Sequence, residues 1–406
     1  MSSTIVIVGG GLAGLRAAET LRAEGHTGPI LMIGEERHLP YDRPPLSKQL
    51  LAGTWGLDRV LLRPPEKILA LGLDIRLGHK AAALDVEGHA LHLEGGGTVA
   101  YDGLVLATGA QPRRLPGTDA LGGVHTLRTL EDCFALAPRA AVEGARVAVV
   151  GAGFIGSEVA ATCRGCGAHV TLIEALPAPL AQALGEEIGA ACGALHVDHG
   201  VDLRTGVAVS GIRSSGDSGS GATVTGVELA DGSMVEADVV VVGIGVSPTT
   251  AWLEGSGLEL DDGVVADKTL HAADDVVVAG DVARWHDARE GRIVRVEHWT
   301  NASEQGPAAA RSLLAGRAHA SPFETVPYVW SDQYDVKIQL LGLPDPEDDV
   351  VIVDGSLEDR RFVALYGRSG RLTAALGFGR PRQLMAYRSL LESGAGFDEA
   401  LSRARA

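Results

Sequence analysis

Short unbroken apolar runs alternate with stretches of helical periodicity along most of the chain. Thr4-Ile-Val-Ile-Val8 is a β-branched run that leads into Gly9-Gly10-Gly11-Leu12-Ala13-Gly14, and a helical stretch from Leu15 to Glu24 follows. A second run, Ile30 to Ile33, stops at Gly34-Glu35-Glu36. The same succession returns at Arg146-Val-Ala-Val-Val150 and Gly151-Ala152-Gly153-Phe154-Ile155-Gly156. There a helix to about Arg164 precedes Val170 to Ile173 and Glu174. Apolar runs without polar alternation read as parallel strands covered on both faces.

Strand–helix–strand units of this kind predict an α/β fold with two Rossmann-like dinucleotide-binding domains. Three further runs fit them: Tyr101 to Ala110, which ends in Thr108-Gly109; Asp238 to Gly245; and Val276-Val-Val-Ala-Gly280-Asp281. Asp281 falls at the C-terminal end of a strand, where ligands of open parallel sheets gather, although a turn or cap would also explain it. The C-terminal stretch predicts strands over Val329–Leu341, Val350–Val353, Arg361–Tyr366 and Leu372–Gly377, then a helix over Arg382–Glu392. The predicted domains are a split first dinucleotide-binding domain (1–110 and 236–315), an inserted second dinucleotide-binding domain (111–235) and a C-terminal α+β domain (316–406). The Ser/Gly-rich stretch Ser214 to Ala222 reads as a flexible hairpin tip.

Both glycine runs have the form G-x-G-x-x-G between strand and helix. Glu35 stands 26 residues after Gly9, and Glu174 stands 23 after Gly151, near the ~20 expected of a dinucleotide fingerprint. Glycines let the backbone approach a pyrophosphate, the helix N-terminus holds its charge, and the carboxylate accepts the ribose hydroxyls. Two such units predict two bound dinucleotides. Glu174 would repel a 2′-phosphate, and Ala175 to Leu180 offer no cation, which predicts NADH rather than NADPH.

Four hundred and six residues exceed one ordinary core. The formal net charge of −17 argues against a nucleic-acid binder or an anionic-lipid binder. No apolar run approaches the ~18–20 residues needed to span a bilayer. No basic segment precedes Ile5, so a secretory signal is not expected, and the expected compartment is the cytoplasm. Cys133, Cys163, Cys166 and Cys192 make no disulfide framework. Cys163-Arg-Gly-Cys166 is formally C-x-x-C, but it ends a helix rather than starting one, where a dipole would lower a thiol pKa. It therefore reads as structural, and no cluster completes a metal site.

Five segments carry a closer likeness: Tyr41-Asp-Arg-Pro-Pro-Leu-Ser-Lys48, Leu106-Ala-Thr-Gly109, Ala279-Gly-Asp281, Glu297-His-Trp-Thr-Asn301 and Val326-Pro-Tyr-Val-Trp-Ser-Asp-Gln-Tyr-Asp335. Over nearly its whole length the chain resembles the FAD-dependent, NADH-linked ferredoxin reductases that serve bacterial ring-hydroxylating dioxygenases and haem-thiolate monooxygenases. The resemblance implies a glutathione-reductase-like fold with a C-terminal α+β domain. It sets FAD on Gly9, Gly11, Ala13 and Gly14, with Glu35 on the adenosine ribose. Thr108, Gly109 and Gly280 are included among the cofactor contacts. Arg43 and Lys48 would lie along the cofactor, with Pro45 and Lys48 near the isoalloxazine. Ala81 would give backbone contacts to the adenine, where the family more often has Val. Arg128 would meet the flavin side, Asp281 the ribitol, and Trp299 the pyrimidine end of the ring. NADH would occupy Gly151, Gly153, Gly156 and Glu174, with Gly245 near its nicotinamide half.

Glu158 is implied to face Lys48, although a solvent-facing helix residue is the plain alternative. Lys48, Glu158 and Pro45 form the expected catalytic set. A cation beside the ring stabilises the charge of a reduced flavin without acid–base work. The implied reaction is hydride transfer from NADH to FAD, followed by single electrons to a [2Fe–2S] ferredoxin, by a monomer or weak homodimer. Trp299 is a candidate on the electron exit route or a packing residue. A rubredoxin or other-acceptor reductase, and a slow-turnover binding protein of the apoptosis-inducing-factor type, are the alternatives. Because an acidic ferredoxin would be repelled at long range, Arg311, Arg317, Arg380, Arg382 and Arg388 are expected to supply part of a local docking patch.

Overall fold

The computed structural model describes residues 3–215 and 221–404. The middle of the expected hairpin tip (216–220) lies outside them, while its flanks pair antiparallel at Ser215 and Thr223. The chain divides into two compact units, Met1–Asp42 with Val60–Gln111 and Ser247–Pro327, and Arg43–Arg59 with Pro112–Val246 and Tyr328–Ala406.

In the first unit a six-stranded sheet runs in the order His271–Ala273, Val276–Val278, Gly103–Leu106, Ile5–Val8, Ile30–Gly34, Asp74–Leu77. Ile5–Val8 pairs parallel with neighbours on both sides and is buried throughout, as its unbroken apolar run requires. The strand order reverses at Ile5–Val8, which makes its C-terminal end the switch point where α/β sheets bind ligands. Helices Leu12–Ala23 and Trp299–Ala315 belong to this unit and pack together. Their approach depends on Gly306, where a Cβ would stand 2.4 Å from the Ala13 carbonyl oxygen.

The second unit repeats the plan with a five-stranded parallel sheet in the order Asp202–Thr205, His169–Glu174, Arg146–Val150, Val239–Val242, Val124–His125. Val239–Val242, which a boundary at 236 assigns to the first domain, is thus hydrogen-bonded into the second sheet beside Arg146–Val150. The C-terminal residues add a five-stranded antiparallel sheet, ordered Tyr328–Gln333, Val336–Gly342, Arg371–Phe378, Arg361–Arg368, Asp349–Ser356. Its buried Ile338, Leu340, Phe362, Tyr366, Leu376 and Phe378 pack against Leu184, Ile188, Cys192 and Leu195 of the helices Ala181–Leu184 and Glu186–Asp198.

Two C-terminal elements differ from expectation. The single strand expected over Val329–Leu341 is a hairpin that turns at Tyr334, whose φ of 55° is left-handed. The single helix expected over Arg382–Glu392 is two, Pro381–Met385 and Arg388–Ser393. The buried residues Leu384, Tyr387 and Leu390 recur every third position, which favours tighter i→i−3 bonding. The joint shows it in Ala386 N to Gln383 O and Tyr387 N to Leu384 O.

Candidate active site

In each unit the three glycines of the loop divide the work. Gly9 and Gly151 have φ of +123° and +94°, and a Cβ on them would fall 2.1 Å from Ala107 O and 2.3 Å from Gly243 O. A Cβ on Gly14 or Gly156 would lie 2.0 or 1.9 Å from the carbonyl oxygen of Gly9 or Gly151. The middle glycines are different. Gly11 (φ −92°) and Gly153 (φ −70°) have conformations open to any residue, and no atom lies within 4 Å of a Cβ built on either. Neither backbone strain nor packing explains their missing side chains. A ligand that touches the backbone there would explain them.

The helices that follow, Leu12–Ala23 and Phe154–Gly165, have no side-chain cap and no acidic residue in the first turn. Their terminal N–H groups and dipoles are therefore left to an anion. The residues present fit a pyrophosphate in both places.

Around the first loop, Glu35 is more than half exposed and pairs with Lys80 at 3.3 Å, the residue before buried Ala81. Thr108 donates its hydroxyl to Thr249 O at 3.1 Å, and Gly109 (φ +68°) accepts from Thr249 N. Gly280 (φ +79°) donates its N–H to Gln305 Oε1 at 2.8 Å. Asp281 is half-buried, and its carbonyl accepts from Arg295. Trp299, at the start of its helix, donates its indole N–H to Asp42 Oδ1 at 2.6 Å. Burial pulls the neighbouring His298 down to about 4, with Asp281 partly opposing, so the imidazole is neutral at pH 7.

In the second unit Glu174 is held by its own loop. Oε2 accepts from Ala152 N at 2.7 Å and Oε1 from Leu176 N at 2.9 Å. Gly245 (φ +92°) faces open space and accepts from Arg113 N.

The same unit contains the Arg-Pro-Pro-Leu-Ser-Lys run. Pro44–Ser47 form a 3-10 turn with Pro45 buried, and Lys48 N bonds back to Pro45 O. The turn is fixed from outside by Thr162 Oγ1 to Ser47 O at 2.7 Å. Arg43 donates to the carbonyl of Arg128, beside a capping box in which Asp132 takes the N–H groups of Arg128 and Thr129. Lys48 Nζ reaches Glu158 Oε2 at 2.6 Å, with side chains only 11% and 3% exposed. Glu158 is thus no solvent-facing helix residue. Ser47 Oγ donates to the same oxygen at 2.6 Å, and Ser331 Oγ donates to Oε1 at 2.9 Å. The additional hydrogen bonds help offset the desolvation cost of burying this ion pair.

A pyridine nucleotide-disulphide oxidoreductase family model matches residues 3–306, and a reductase C-terminal family model matches residues 328–404. The chain belongs to the pyridine nucleotide-disulphide oxidoreductase family. It is 40% identical over 393 residues to the anthranilate 1,2-dioxygenase system ferredoxin–NAD(+) reductase component of Burkholderia cepacia, covering 96% of this chain and 94% of the relative. It is 36% identical over 385 residues to putidaredoxin reductase of Pseudomonas putida, covering 94% and 89%. The structure of the covalent putidaredoxin reductase–putidaredoxin complex matches with a TM-score of 0.91 at 33% identity, covering 97% of this chain and 93% of the solved one.

The family name refers to a disulfide, yet the four cysteines here are free. Cys163 is fully buried with its thiol pushed up to about 12 by burial, and burial raises half-buried Cys166 as well. Neither is a ready thiolate. Among the described residues no group of His, Cys, Asp or Glu could hold a metal, and no helix is long and apolar enough to cross a membrane.

The expected arginine patch is largely neutralised. Arg311 pairs with Glu24, Arg317 with Asp267, Arg380 with Asp354 and Arg388 with Glu392, at 2.8 to 3.0 Å. Exposed Arg382 has no ion-pair partner among the described residues. Sequence reasoning also missed Ser47 and Ser331 as ligands of Glu158. Both sit inside the two segments that carried the sharpest likeness, and that was the only signal available.

Proposed function

We propose that the chain takes hydride from NADH onto FAD and passes single electrons to a [2Fe–2S] ferredoxin, which supplies a ring-hydroxylating dioxygenase or a haem-thiolate monooxygenase. The observation that carries this is the pair of glycine cradles, each open only at its middle glycine and each closed by a helix end without a cap. FAD, when bound, supplies the conversion from a two-electron nicotinamide donor to a one-electron carrier, which the residues of the chain cannot perform.

The chain's residues bind and orient. The loop Gly9–Gly14 and Glu35 hold the FAD adenylate; Ala81, Thr108, Gly109, Gly280, Asp281 and Trp299 are assigned along the remainder, with Arg43 and Arg128. The loop Gly151–Gly156 holds the NADH pyrophosphate, and Gly245 belongs to its nicotinamide half. Glu174, already fixed by two backbone donors, offers its remaining lone pairs to a ribose hydroxyl and repels a 2′-phosphate. Lys48, braced by Pro45 and paired with Glu158, supplies a fixed positive charge for a reduced ring. Positioning of donor and acceptor provides most of the acceleration. No thiol relay takes part. We assign the protein to the cytoplasm and to a monomer or weak homodimer.

The test is NADH oxidation by the purified FAD-loaded protein with added ferredoxin and cytochrome c. Rapid turnover that depends on one [2Fe–2S] carrier is expected. Sluggish turnover regardless of carrier, or turnover with rubredoxin alone, would reject the reading.

A further inference from the structure

Glu158 is fixed by two different parts of the second unit. Its Oε2 takes Lys48 Nζ and the Ser47 hydroxyl, while its Oε1 takes the hydroxyl of Ser331, a fully buried residue on the first strand of the C-terminal sheet. Gln333, two residues along and also fully buried, donates Nε2 to Ser331 Oγ at 3.2 Å. Residues i and i+2 of a strand share a face, so both side chains point inward from one edge. Tyr328 and Trp330 stack with ring centroids 5.9 Å apart on the alternate positions. A serine hydroxyl has one proton. An amide that donates to its oxygen leaves that proton free for a carboxylate, so Gln333 sets the direction of the Ser331 hydrogen bond.

We propose that Ser331, directed by Gln333, is a positioning residue for the Lys48–Glu158 pair, so that the C-terminal domain helps fix the cation used in the reaction. The proposal rests on the role given to Lys48 above. Lys48 Nζ also donates to Pro44 O at 3.0 Å. If Oε1 loses its donor, the buried carboxylate has to turn toward a remaining one, and the ammonium follows it away from that carbonyl.

In the FAD-loaded protein, Ser331→Ala is expected to slow flavin reduction at saturating NADH about tenfold in stopped flow, the worth of one hydrogen bond to a charged group. The NADH Kd is expected to stay within twofold. Ser331→Thr, which keeps the hydroxyl, should restore the rate to within threefold of wild type. Gln333→Leu should give a smaller loss in the same direction, and this variant with Ser331→Thr carries the test if Ser331→Ala does not fold.

A second readout needs no turnover. Ser331→Ala should shift the denaturant unfolding equilibrium about tenfold in the wild-type background and little in a Glu158→Leu background. An unchanged reduction rate, a Thr variant as slow as the Ala variant, or an equal unfolding cost in both backgrounds would overturn the proposal. A wild-type protein that NADH fails to reduce would reject the functional reading instead, and the unfolding cycle would still decide the role of Ser331.

Discussion

Replacing Gly153 by Ala separates ligand binding from folding. The new methyl would meet no protein atom within 4 Å, and the φ of −70° suits alanine. Alanine is worse than glycine at an N-cap by up to about 1 kcal/mol, but it lowers the entropy of the unfolded chain by about 0.4–1 kcal/mol. Net stability should therefore stay within about 1 kcal/mol of wild type. Binding should not. In the proposed function the methyl would occupy the space through which backbone N–H groups reach the pyrophosphate, and losing one charge-assisted hydrogen bond costs about 1.5–3 kcal/mol. NADH should bind roughly 10- to 150-fold more weakly.

Gly156→Ala is the control. Its Cβ would stand 1.9 Å from Gly151 O, so the loop itself must move, at about 3 kcal/mol or more. That variant should lose stability and NADH affinity together. Denaturant unfolding and a fluorescence titration with NADH measure the two quantities. The reasoning fails if Gly153→Ala unfolds as readily as Gly156→Ala, or if it binds NADH like the wild type.

Glu174 should set a kcat/KM preference for NADH over NADPH that Glu174→Ala narrows about tenfold; equal or better use of NADPH by the wild type would show that the carboxylate is misassigned. Cys163→Ala and Cys166→Ser should each retain turnover within about twofold, because burial raises both thiols; abolition of flavin reduction by either would restore a sulfur relay. His196 is buried with its pKa pulled down to about 4 from 6.5, so below pH 6.5 the unfolded chain binds the proton that the folded one refuses. Its contribution is complete above pH 6.5 and is lost as pH falls toward 4, by about 3 kcal/mol; His196→Gln should flatten the stability curve in that window, and an unchanged acid slope would count against it.

Where a strand is buried on both faces, the sequence shows it directly, as at Ile5–Val8 and Arg146–Val150. The middle glycines could be read as ligand space because the motif fixes them between strand and helix. What pattern could not show is which sheet a returning strand joins. Val239–Val242 is as apolar as Val276–Val278, and only hydrogen-bond register assigns the first to one sheet and the second to the other. Nor could spacing bring Ser331 to Glu158 across 173 residues, since such contacts follow from how the C-terminal sheet packs. The ion pairs of the arginines were hidden for a related reason: a count of cations along the chain does not reveal the carboxylates folded against them.

The course of the backbone between the two units has a consequence for biosynthesis. Although Ile5–Val8 leaves the ribosome well before them, one of its neighbours in the sheet, Gly103–Leu106, needs Val276–Val278 on its far edge, and the helix Leu12–Ala23 needs Trp299–Ala315. Translation must continue from Ile5 through Ala315 before the first glycine loop has its full support. Its apolar strands are therefore exposed to nascent-chain aggregation for longer than those of Arg146–Val150, whose parallel partners are all complete by Val242.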